Sequence, residues 1–180
     1  MNVKYYILNG VSASGKDTFV DFMYNLKDDV DVIHYSSITY VKSIAYDAGW
    51  DGNKDKKGRN LLSGLKHLLT EYDNLPFKST VSHVESYVKN MERHPYNCAG
   101  DVLVFIDVRE PEEIEEYKKY FNAKTVLIRN PSAEEKVFNE SDLNVLNYDY
   151  DIVIWNDSTK EHLLELAKEF VENEIRLHKN

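Results

Sequence analysis

Short apolar runs alternate along this chain with longer stretches in which apolar residues return every three or four positions. The runs predict strands at Val3 to Leu8, Val30 to Tyr35, Val102 to Ile106, Thr125 to Ile128 and Ile152 to Trp155. The first and third are apolar or aromatic at nearly every position, as expected of strands buried on both faces. Helical spacing runs from Gly15 to Leu26, with Phe19, Val20, Phe22, Met23 and Leu26 on one side. It returns from Leu61 to Tyr72, from about Ser79 to Arg93, and from about Thr159 to Leu177. Ser36 or Ser37 is placed to cap a helix running to about Ala48, with Gly49 as its stop. Pro111 opens a further helix at a position that tolerates proline, with Glu112 and Glu113 in its first turn. Between Trp50 and Arg59 the periodicity gives way to charge and glycine, which predicts a polar loop.

Five apolar strands alternating with helices predict an α/β domain with a mainly parallel five-stranded sheet. Residues 1–180 read as a single domain, with a helical insertion at about 50–95 and a short lid at about 130–149. Ligands of such sheets gather at the carboxyl ends of the strands. That rule collects the stretch from Gly10 to Thr18, Ser36 and Ser37, Asp107 and Arg109, Arg129, and Asn156 on one edge.

Composition narrows the classes. The chain has 180 residues, 42% hydrophobic and 29% charged, with a net charge of −9. An acidic body of this kind is not a general binder of nucleic-acid polymers, whose phosphates need a basic face. An anionic small molecule in a local positive cleft remains compatible with it. No apolar run reaches membrane-spanning length, and no basic segment followed by an apolar signal region opens the chain. Cys98 is the only cysteine, so no internal disulfide forms. These features predict a cytoplasmic protein, a monomer or homodimer.

The strongest chemical signal is Gly10-Val11-Ser12-Ala13-Ser14-Gly15-Lys16-Asp17-Thr18, set between the first strand and the first helix. Two glycines five positions apart, followed by lysine, are the spacing of a phosphate-cradling loop. Glycine lets the backbone wrap an anion so that several N–H groups converge on it. The helix starting near Gly15 aims its positive end at the same point, and Lys16 adds a full charge. Asp17 stands where a magnesium-binding Ser or Thr is usual, and Thr18 follows it.

Asp107 closes the clearest strand, where a carboxylate lies beside the loop and can hold Mg2+ directly or through water. Asp17 is the second candidate metal ligand. Arg109, two residues beyond Asp107, offers a guanidinium fork suited to phosphate oxygens. Arg129 ends the fourth strand in a similar way. Arg59 and the lysines around it make the 51–59 stretch a candidate clamp on an acceptor phosphate, and Lys42 lies on the preceding helix. The alternatives are Asp107 as an acid capping the helix that starts at Pro111, an ion pair of Arg109 with Glu112 or Glu113, and a solvated loop at 51–59. The six histidines suggest no metal set by spacing, and no serine–histidine–acid triad can be drawn.

The chain resembles the phosphate-loop nucleoside monophosphate kinases, and most of all the deoxynucleoside monophosphate kinase-like proteins of phages and bacteria. The resemblance rests on Ser14-Gly15-Lys16-Asp17-Thr18, the Lys42 helix, and Trp50-Asp51-Gly52 followed by Lys54-Asp55 and Gly58-Arg59. Asp107-Val108-Arg109 and the tail from Tyr150 to Asp157 complete it. It implies the three-layer P-loop NTPase fold and Mg2+-dependent phosphoryl transfer from ATP to a nucleotide monophosphate. On the same resemblance, Lys16 holds the transferring group and Asp107 organises Mg2+. Thr18 approaches the donor phosphates, Arg59 and Arg109 serve the acceptor or the transition state, and Asn156 borders the donor base. One departure stands out: residues 130–149 carry Lys136 but no arginine, where related lids carry several. The competing readings are a kinase of another metabolite, such as one similar to dephospho-coenzyme A kinase, and a nucleotide-binding regulatory module without transfer activity.

Overall fold

The computed structural model describes residues 1–26, 30–93, 100–136 and 144–176. Cys98 and part of the expected lid, including Glu140 and Asp142, lie outside the described residues. The chain packs as two compact units, Met1–His34 with His94–Asn180, and Tyr35–Arg93.

The first unit is built on a five-stranded sheet. Its strands are β1 (Asn2–Asn9), β2 (Val30–Ser36), β3 (Asp101–Asp107), β4 (Lys124–Arg129) and β5 (Ile152–Trp155), in the order β2-β3-β1-β4-β5. β1 pairs in parallel with β3 on one side and β4 on the other, and β4 pairs in parallel with β5. A central β1 explains its sequence: with neighbours on both edges and helices on both faces, it has no solvent-facing row to make polar. Alternate side chains divide between the two faces. Tyr6, Leu8, Leu103, Phe105, Val126 and Ile128 join a core with α1 (Lys16–Met23) and the C-terminal helix. On the opposite face, α5 (Pro111–Phe121) packs against β1 and β4, with Tyr5 stacked on Phe121 at a centroid distance of 4.8 Å. Helix, sheet and helix form a three-layer α/β architecture, with the glycine loop following the middle strand.

Two helices complete the unit: the single-turn α6 (Pro131–Glu134), capped by the Asn130 side chain, and the long α7 (Lys160–Arg176). Glu174 fastens α7 to the sheet. Its side chain, 6% exposed, accepts from Lys4 Nζ and Lys124 Nζ at 3.0 Å each. Those hydrogen bonds hold its carboxyl below the usual glutamate range although burial pushes the other way.

The second unit packs three helices on one another, α2 (Thr39–Asp47), α3 (Lys56–Asp73) and α4 (Leu75–Arg93). Val41 and Ala45 of α2 and Val81, Val84 and Val88 of α4 are buried. Several expected boundaries shift. α1 ends at Met23, and Tyr24 to Leu26 form a turn. Neither Ser36 nor Ser37 caps α2; Ile38 takes that position without a side-chain cap, and Ser37 is buried. The expected loop over 51–59 is shorter, because the Asp55 side chain accepts from Gly58 N at 2.8 Å and starts α3 at Lys56. Lys56, Lys57, Gly58 and Arg59 are therefore helical. Gly58 is required there: a Cβ would meet the Asn53 carbonyl oxygen, and Trp50 Nε1 at 2.9 Å. α4 begins at Leu75, before the expected Ser79, and takes Pro76 into its first turn. No described helix is long and apolar enough to cross a membrane.

Candidate active site

The glycine loop is shaped by contacts that leave no room for side chains. A Cβ on Gly10 would meet Ser14 Oγ, and the Ile128 carbonyl at 2.8 Å. Gly15 adopts φ +95°, and a Cβ there would collide with the Asn156 amide. Ala13 is also left-handed, at φ +64°, a conformation that costs an alanine about 1–2 kcal/mol. Such an outlier in a glycine-rich turn marks a loop held in shape by its surroundings. Ser14 N donates to Val11 O at 3.1 Å, and Gly10 N is fixed by Asn9 Oδ1 at 2.9 Å. Asn9 is itself anchored, its Nδ2 donating to the Tyr150 hydroxyl at 2.9 Å. Ser14 Oγ, 1% exposed, has no hydrogen-bond partner. A buried hydroxyl without a partner costs about 1–3 kcal/mol, so a ligand oxygen reaching this loop would recover energy the bare fold gives up.

Gly15 is also the residue before α1, so the helix begins at Lys16 with its unpaired N–H groups facing the loop. Val11 and Ser14 are buried, Gly15, Lys16 and Thr18 half-buried, and Ser12, Ala13 and Asp17 exposed. Lys16 Nζ lies 3.3 Å from Asp17 Oδ1.

Beside the loop, Asp107 ends β3 as expected, with its side chain only 16% exposed. The unanticipated neighbour is His34. Its Nε2 lies 3.1 Å from Asp107 Oδ1. Burial disfavours the charged imidazole, but Asp107, assisted by Asp17 and opposed by Lys16, holds the His34 pKa above its ordinary value. Asp17, His34 and Asp107 each place a ligand atom within 4.8 Å of the others. The histidine was legible in one respect: it stands at the carboxyl end of a strand, as Asp107 does.

The opposite border of the loop is built by the turn after β5. Asn156 Nδ2 donates to Ser14 O at 2.8 Å, and Asn156 N donates to Arg129 O at 2.7 Å. Arg129 is committed to two partners. Its guanidinium makes a two-pronged ion pair with Glu134, Nε to Oε1 at 2.9 Å, and lies 4.5 Å from the centre of the Trp155 ring. This pairing with Arg129 holds Glu134 below the usual carboxylate range, against its partial burial. Arg129 thus lies on the Asn156 side of the site with its charge already compensated.

Arg109 follows β3 with an exposed side chain, and its carbonyl accepts from Asn9 Nδ2 at 3.3 Å. Lys42 and Arg59 belong to the second unit. Lys42 is half-buried on α2, and Arg59 Nε donates to Lys54 O at 2.8 Å in the first turn of α3. The loop residues, Lys16, Asp17, His34, Asp107 and Asn156 come together within the first unit.

The donor set fits a triphosphate with a divalent cation. The loop has a helix start, a lysine and an orphaned buried hydroxyl, and carboxylates lie beside it.

No family model matches the sequence. No curated protein matches it either. Among solved structures, it is similar to the Mycobacterium tuberculosis APS kinase CysC in complex with AMPPNP and APS, at 12% identity and a TM-score of 0.46, covering 95% of this chain and 96% of that one. It is also similar to the shikimate kinase of Aquifex aeolicus, at 15% identity and a TM-score of 0.42, covering 97% and 98%. A sugar kinase from Janibacter gives 12% identity and a TM-score of 0.43, covering 94% and 95%.

Proposed function

We propose that this protein transfers the γ-phosphoryl group of ATP, with Mg2+, to a small phosphorylated acceptor, a nucleoside or deoxynucleoside monophosphate. The observation that carries the reading is the loop from Gly10 to Thr18, closed around its own glycines and set against Lys16 and Asp107 at one sheet edge. In the reaction an acceptor phosphate oxygen attacks the γ-phosphorus and the bond to the β–γ bridging oxygen breaks. ADP leaves, and the acceptor becomes a diphosphate. An acceptor already carrying anionic oxygens needs no base, so catalysis reduces to positioning and charge neutralisation.

Each residue has a part in that scheme. The loop's N–H groups and the start of α1 hold the donor phosphates, and Thr18 sits one turn behind them. Lys16 leaves Asp17 and follows the transferring group. Asp107 and Asp17 are the carboxylates that would hold Mg2+, which draws charge from the phosphate oxygens when bound. Asn156 keeps the loop in shape, and Trp155 with Arg129 borders the donor base. Arg109 supplies positive charge for the acceptor. This is consistent with a lid stretch that contains no arginine.

The test is ADP formation from ATP and Mg2+ with a panel of nucleoside and deoxynucleoside monophosphates, alongside hydroxyl-bearing metabolites. Lys16→Ala should lose about 3 kcal/mol of transition-state stabilisation, more than a hundredfold in kcat. Transfer to hydroxyl acceptors alone would replace the substrate class. Tight ATP binding with no transfer to any acceptor would leave the regulatory module.

A further inference from the structure

We infer that Asp17, His34 and Asp107 form a three-ligand site for a transition-metal dication of the Mn2+ type, able to bind the protein before any nucleotide arrives. The three side chains come from the first turn of α1, from β2, and from the end of β3. Their ligand atoms lie within 4.8 Å of one another. Ligands sharing one ion at about 2.1 Å are at most about 4.2 Å apart, so closing the set requires at most about 0.6 Å of movement. His34 and Asp107 are already in contact at 3.1 Å and mostly buried; Asp17 is the exposed arm that can adjust.

The composition of the set decides the ion. Mg2+ favours oxygen ligands and retains several waters, so it is usually held through one or two carboxylates and substrate phosphates. An imidazole nitrogen added to two carboxylates suits Mn2+, Co2+ or Zn2+ better. Three protein ligands also suffice to hold an ion without a triphosphate, and they leave open positions for phosphate oxygens. Lys16, now the partner of Asp17, is then displaced toward the phosphate position of the loop.

This inference deepens the reading of the same site as a phosphate-transfer centre, and it is tested without nucleotide so that the two can fail separately. Mn2+ is titrated into the nucleotide-free protein and followed by the EPR signal of the free ion; pulsed EPR on the bound ion then reads nitrogen coupling. The expected result is one bound Mn2+ with 14N modulation, which His34→Gln abolishes while weakening affinity at least about tenfold. Asp107→Asn should weaken binding further, with circular dichroism establishing that each variant is folded. Absence of nucleotide-free binding up to millimolar Mn2+, or a bound ion with no 14N modulation, overturns the inference. So does an affinity unchanged in His34→Gln. Phosphoryl transfer is measured in parallel with Mg2+. Transfer without the nucleotide-free ion leaves the kinase reading standing alone, and the ion without transfer leaves the metal site standing alone.

Discussion

Gly15 and Asn156 offer a quantitative test of how the glycine loop is held. Gly15→Ala places a methyl group at φ +95°, which costs an L-residue about 1–2 kcal/mol. The same methyl must displace the Asn156 amide, breaking its 2.8 Å hydrogen bond to Ser14 O at about 1 kcal/mol. The single variant should therefore lose about 2–3 kcal/mol, or about 5–10 °C in Tm for a chain of this size. Asn156→Ala alone should lose about 1–2 kcal/mol, because Ser14 O then lacks its partner. In the double variant the hydrogen bond is lost once and the methyl occupies the space the amide vacated. The two changes should then be less than additive by about 1 kcal/mol. Urea unfolding of all four proteins, with slopes compared to ensure that the same surface is exposed, measures the coupling. Additivity within about 0.5 kcal/mol would refute the reasoning, since the amide could not then be the atom that excludes a side chain at Gly15.

Two further outcomes follow from other parts of the fold. Gly58→Ala should destabilise the second unit by about 2–4 kcal/mol although alanine is the better helix former by about 1 kcal/mol, because the new methyl falls on the Asn53 carbonyl. Trp50 Nε1 donates to that carbonyl at 3.0 Å, so near-ultraviolet circular dichroism should report the change; a stabilised variant would contradict the packing. Glu174 carries the acid sensitivity of the α7 attachment. Its native pKa lies below the unfolded value near 4.5, so its contribution is complete above that pH and drains away as pH falls through the lowered native value. Glu174→Gln should flatten this part of the stability–pH curve, measured by urea unfolding between pH 3 and 6. An unchanged slope would contradict the assignment.

The sheet was legible from the chain because its central strands β1, β3 and β4 carry runs of buried residues that span both faces and leave little ambiguity of period. All five strands fall within a residue or two of their expected positions. The shape of the loop was legible because its two spaced glycines, Gly10 and Gly15, stand where a Cβ would collide with its neighbours. What the sequence concealed depends on distance or on local competition. His34 and Asp107 are 73 positions apart, and no spacing rule joins them; only the sheet order, with β2 beside β3, brings them into contact. The start of α3 was hidden because a run of lysines and glycine reads as a solvated loop. Asp55, satisfying Gly58 N, outweighs that signal. The serines before α2 show the reverse: two good capping residues are present, and tertiary packing places the helix start beyond both. Arg129 was recognisable as an edge residue, but its engagement by Glu134 and Trp155 belongs to the folded turn alone.

The hydrogen bond from Asn156 to Ser14 spans 142 residues. During synthesis the glycine loop emerges well before the side chain that fixes its shape. A contact of such long range forms only after intervening loop entropy has been overcome, which makes it a late event in folding. The shape of the glycine loop therefore reports that β5 and its following turn are in place. A chain stalled or cleaved before β5 would possess every residue of the glycine loop and still lack the hydrogen bond that holds its shape.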